Sequence, residues 1–122
     1  MFTLRQAHID AMAAVPRETF EDRMVRHLAV KFPIECEELG EEKVRSRIRD
    51  GVTRAKKYEI RAQADVSRFI RFMFAIRPDF DTAVRTMWAQ EILEDTEASA
   101  SDRLDRIREE ARTRRRASKG KT

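Results

Sequence analysis

Between residues 62 and 76 the chain reads AQADVSRFIRFMFAI, and Val66, Phe69, Ile70, Phe72, Met73, Phe74 and Ile76 fall on almost every side of a helical wheel. Only Ala64, Arg68, Arg71 and Ala75 leave a narrow stripe without bulky apolar groups. A helix that is apolar nearly all round must be covered by neighbours on several sides. Arg77-Pro78 stops it, because the residue before a proline is driven out of the α region. The fold this requires is an all-α bundle of five to six helices, with the helix at about 62–76 in the middle. Three Gly and three Pro in 122 residues agree, since a sandwich or barrel needs many more turn residues.

The flanking segments supply the cover. Thr3 to Gln6 has the spacing of a capping box and opens a short helix that Pro16 interrupts. A second helix, about 17–31, repeats Phe20, Met24, Leu28 and Phe32 at four-residue intervals, and Pro33 ends it. Residues 34–42 read as an acidic connector turned at Gly40. A third helix, about 41–58, buries Val44, Ile48, Val52 and Ala55. Its Gly51 costs about 1 kcal/mol relative to alanine unless another helix crosses there. A fifth, about 82–94, is capped by Asp79 or Asp81 and presents Val84, Met87 or Trp88, and Ile92. After a small-polar break, Leu104, Ile107 and Ala111 mark a sixth helix with a thin apolar stripe.

The formal charge of +4 is carried at one end. Arg112, Arg114, Arg115, Arg116, Lys119 and Lys121 have no acid among them, so residues 1–111 hold 20 basic against 22 acidic residues, a net of −2. The expected organisation is a bundle over 1–111 and a disordered basic tail over 112–122. A near-neutral body does not favour nucleic acid as its partner. Residues 43–61 are locally basic, with eight cations against Asp50 and Glu59. That face is either solvated and paired, or a dock for an acidic partner. A single cysteine, no leader-like start and no long apolar run point to a cytoplasmic protein without a membrane span.

No constellation here carries chemistry. His8, His27 and Cys36 lack the spacing of a zinc site, and the acids around Cys36 should raise its pKa and blunt it as a nucleophile. Asp79-Phe80-Asp81 matches no calcium loop. Residues 36–48 lack the apolar positions of a helix-turn-helix, and their acids would face the DNA backbone. No catalytic residue, metal or cofactor is expected. For docking another protein the candidates are Tyr58, Arg68, Arg71, Phe80 and Trp88, since aromatic and arginine side chains dominate interface energetics.

The order Phe20, Arg23-Met24, His27-Leu28, Phe32-Pro33, then IRDGVTRAKKY over 48–58, DVSRFI over 65–70, Met73-Phe74, DFD over 79–81 and Trp88 resembles a group of small helical bacterial proteins encoded beside type VI secretion effectors and their loading adaptors. The likeness covers about residues 4–93. One departure is visible: the position after Tyr58 is often glycine in that group and is Glu59 here. The resemblance implies a non-enzymatic cytoplasmic co-adaptor or chaperone whose partner is an effector or its adaptor. A nucleic-acid-associated protein using the arginine-rich end and the third helix, and an immunity protein that binds a toxin, are the alternatives. Self-association is left open.

Overall fold

The computed structural model describes residues 18–120. Its first helix, α1 (Phe20–Lys31), starts where Thr19 and Asp22 close a reciprocal capping box. The Thr19 hydroxyl accepts from the Asp22 N–H at 3.1 Å, and the Thr19 N–H donates to the Asp22 carboxylate at 3.2 Å. The helix expected from Thr3 and the break at Pro16 lie outside the described residues.

Residues 33–39 are not a connector. They form a short helix, α2 (Pro33–Leu39), with the proline in its first turn. Proline lacks only an N–H that this position would leave unpaired anyway, so the residue that ends one helix can start the next. Gly40 then takes φ 85°, ends α2 and leads into α3 (Glu41–Lys57).

The C-terminus of α3 is a Schellman turn. The Ile60 N–H donates to the Ala55 carbonyl and the Glu59 N–H to the Lys56 carbonyl, both at 3.0 Å. The turn puts Glu59 in the left-handed region, φ 60°, and folds Ile60 fully into the core. Glycine normally fills this position.

Helix α4 (Gln63–Ala75) is the central one. Val66, Phe69, Ile70, Met73 and Phe74 are buried, and Phe72 and Ile76 pack partly buried against the core. It touches α1, α3 and α6, whose Met24, Leu28, Val44, Ile48, Ala55, Leu104 and Ile107 complete the interior. The all-α bundle expected from the sequence is the observed fold, with six helices among the described residues.

Gly51 packs against the Ile70 and Met73 side chains of α4. A Cβ built there would stand 2.7 Å from Ile70 Cγ1 and 2.9 Å from Met73 Sδ. The glycine leaves room for these two side chains, which an added methyl group would displace.

Residues 78–83 turn tightly rather than capping a long helix. A 3₁₀ turn (Val84–Thr86) precedes α5 (Met87–Leu93). Neither Asp79 nor Asp81 caps α5. Of the pair left open by the sequence, Trp88 faces inward and Met87 stays exposed. The last helix, α6 (Ala100–Gly120), packs on α4 and α5.

Residues 112–120 of the basic end continue α6, where the sequence suggests a disordered tail. Arg, Ala and Glu are strong helix formers. Glu110 pairs with Arg114 at 2.9 Å, one turn apart, and the Arg114 guanidinium lies over the Trp88 ring, 5.0 Å from its centroid.

Candidate partner-binding site

The five residues singled out for docking divide into three places. Phe80 is fully buried. Its ring stands 4.9 Å from Phe69 and 5.8 Å from Phe72, centroid to centroid. It is a core residue and offers no surface to a partner; its apolar size fits an interior anchor as well as an exposed one.

Tyr58 is half-buried beside it, held in a polar cluster. Asp81, 1% exposed, receives the Arg54 guanidinium in a short ion pair and the Tyr58 hydroxyl at 3.2 Å. Arg54 also donates to the Asp50 carboxylate at 3.0 Å and to the Pro78 carbonyl at 2.9 Å. Burial first, and the Asp81 charge second, push the Tyr58 hydroxyl up to about 12. This cluster fastens residues 78–81 to the C-terminal part of α3.

A second buried cation went unread in the sequence. Arg103, 3% exposed, donates to the Leu93 carbonyl at 2.7 Å, the Tyr58 carbonyl at 2.9 Å and the Ala98 carbonyl at 3.2 Å. Leu93 ends α5 and Tyr58 ends α3. One guanidinium therefore caps two helix C-termini, where partial negative charge gathers. No local spacing signals it, because the Tyr58 acceptor lies 45 residues away.

Three of the eight cations in residues 43–61, Arg45, Arg49 and Arg54, are ion-paired within the fold. Arg45 reaches Glu21 at 2.8 Å, Asp22 at 2.9 Å and Glu41 at 3.0 Å, and Arg49 reaches Glu21 at 2.9 Å. Most of these partners come from α1, not from the acidic stretch after Pro33. Hydrogen bonds from Arg49 and Arg45 lower the Glu21 pKa. Arg47 lies over the Phe74 ring.

Arg68 and Arg71 occupy the open stripe of α4, together with exposed Ala64 and Ala75. Two grooves flank it. One, about 690 Å³, runs between α1 and α4 and is lined by Phe20, Met24, His27, Ser67 and Arg71 among others. The other, about 230 Å³, has Phe32 and Phe72 at its floor and Lys31, Arg68, Arg71 and Arg108 around it. Arg68 donates to Asp105 on α6 at 2.6 Å. Arg71 makes no ion pair among the described residues. Burial, then the nearby Arg71 and Lys31 charges, depress the His27 pKa.

Trp88 borders a separate groove of about 660 Å³ between α5 and α6, with Ile92, Asp105, Glu109 and Arg114. Cys36 is half-buried, and burial, followed by Glu35, raises its pKa. Among the described residues no group of three or more metal-ligating side chains converges. No described helix is long and apolar enough to cross a membrane.

Comparison with models of protein families, with curated proteins and with solved structures found no match to this chain. The site defines no more than a helical bundle whose central helix keeps one stripe, Ala64, Arg68, Arg71 and Ala75, only partly covered.

Proposed function

We propose that the protein is a non-enzymatic protein–protein interaction module, a cytoplasmic co-adaptor or chaperone that helps load a type VI secretion effector. One observation carries the binding part of this reading. The central helix is walled in on its other sides, yet its Arg68–Arg71 stripe opens between two grooves with apolar floors. An apolar groove rimmed by arginines suits a partner helix or an extended acidic segment. The secretion context comes from the resemblance in residues 4–93.

The test is co-purification of the tagged full chain with the effector or adaptor encoded beside it. A stoichiometric complex that Arg71→Glu removes, with the fold intact by circular dichroism, supports the reading. A lack of any complex with either neighbour refutes it. If expression of the chain instead rescues cells from the neighbouring toxin, the immunity reading takes its place.

A second reading rests on the exposed cations of α6, Arg112, Arg115 and Arg116. If they bind nucleic acid, removing residues 112–122 should abolish binding, and affinity should fall steeply with salt.

A further inference from the structure

Arg71 is held in an unusual state. Its Nε is the one buried side-chain nitrogen or oxygen without a hydrogen-bond partner among the described residues. Buried polar groups are nearly always satisfied, and an unmet donor on a cation is costly. The surroundings add to that cost. Burial, then the charges of Arg68 and Arg108, lower the guanidinium's pKa.

The carboxylate that reaches this cluster is already engaged. Asp105 takes Arg68 at 2.6 Å and stands 3.8 Å from Arg108. With His27 neutral, the four cations Lys31, Arg68, Arg71 and Arg108 against Asp105 leave a formal +3 around the smaller groove. Its volume, about 230 Å³, is below the roughly 300–1,000 Å³ of clefts that enclose whole small ligands. It holds a side chain or two.

We propose that this groove is an oxyanion site for a partner polypeptide: a Glu or Asp carboxylate seats on Arg71, and an adjoining aromatic or branched side chain lies on Phe32 and Phe72. The idea rests on the reading above that the chain binds proteins. One feature favours a peptide carboxylate over a phosphate. The aromatic floor rewards only a ligand with an apolar body.

The test follows the arginine Nε–H cross-peaks of the full chain by ¹⁵N–¹H NMR during titration with Ac-Phe-Glu-NH₂, Ac-Phe-Gln-NH₂ and inorganic phosphate. The Glu dipeptide should move the Arg71 signal saturably and bind about tenfold tighter than the Gln dipeptide, the worth of one charge-assisted bond. Arg71→Gln should lose that tenfold, and Arg85→Gln, on the exposed 3₁₀ turn, should not. Arg71→Gln should also melt at or above the parent temperature, because it removes a partly buried cation whose Nε has no partner.

Equal binding of the two dipeptides would overturn the site, as would no saturable shift up to about 20 mM. Phosphate saturating below the Glu dipeptide would make it a phosphate site and overturn the peptide assignment. A marked drop in melting temperature for Arg71→Gln would show that the guanidinium is satisfied internally, with the same consequence. Failure of dipeptide binding with co-purification intact removes only this site. Dipeptide binding without any co-purifying neighbour removes the secretion reading and leaves the site.

Discussion

Glu59 is the described non-glycine residue with a positive φ, and Glu59→Gly is the sharpest test of the α3–α4 junction. A left-handed conformation costs an L-residue roughly 1–2 kcal/mol. Glycine removes that cost but adds about 0.5–1 kcal/mol of chain entropy to the unfolded state. The balance is a gain of about 0.5–1 kcal/mol. For a chain of this length that raises the melting temperature by about 2–5 °C. Two companions separate strain from charge. Glu59→Ala keeps the strained backbone and should stay within about 0.5 kcal/mol of the parent. Glu59→Gln, which removes only the charge near Lys56 and Lys57, should do the same. Urea unfolding followed through the single tryptophan gives the free energies, with an unchanged slope as the check on two-state behaviour. If Glu59→Gly is no more stable than Glu59→Ala, the left-handed turn is not how the helix ends, and the account of the junction is wrong.

Gly51→Ala should do the opposite: despite alanine's better helix propensity, its Cβ meets Ile70 Cγ1 at 2.7 Å, and overpacking should cost about 1–3 kcal/mol in the same urea assay. Arg103→Met leaves the carbonyls of Leu93 and Tyr58 buried without donors and should cost about 3–5 kcal/mol; a smaller loss than Gly51→Ala would mean the guanidinium is not the pin described above. Tyr58 is the single tyrosine, so tyrosinate absorbance reads it directly. The folded protein should titrate near pH 12 and the urea-unfolded chain near pH 10. Because the folded value is the higher one, Tyr58 contributes stability below pH 10 that is lost between pH 10 and 12. Tyr58→Phe should remove that part of the alkaline decline in melting temperature.

The central helix was legible because its apolar residues leave only one stripe open, and no other secondary structure accommodates that pattern in a chain so poor in turn residues. The polar architecture was not legible. Asp81 finds Arg54 across 27 residues and Arg103 finds the Tyr58 carbonyl across 45, and nothing in local spacing announces a tertiary hydrogen bond. Phe80 and Arg71 show the same limit at the candidate site. Both residue types favour interfaces, but only the packing tells that one ring is spent inside while one guanidinium lacks a partner. Other signals were present and outweighed. Thr19 and Asp22 have capping-box spacing, and Pro33 can begin a helix as readily as end one. The arginine run beyond residue 111 reads by charge as a tail, although Glu110 and Trp88 hold its first turn. At Glu59 the backbone takes the left-handed form that glycine fills most easily, and a glutamate there gives no local signal of it.

The stacking of Arg114 on Trp88 fixes where the last helix leaves the body of the protein. Six more residues, to Gly120, extend it by about 9 Å. Arg115 and Arg116, about 1.5 and 3 Å further along the axis than Arg114, are exposed on the turn that follows this contact, so their charge is offered to solvent and not folded into the core.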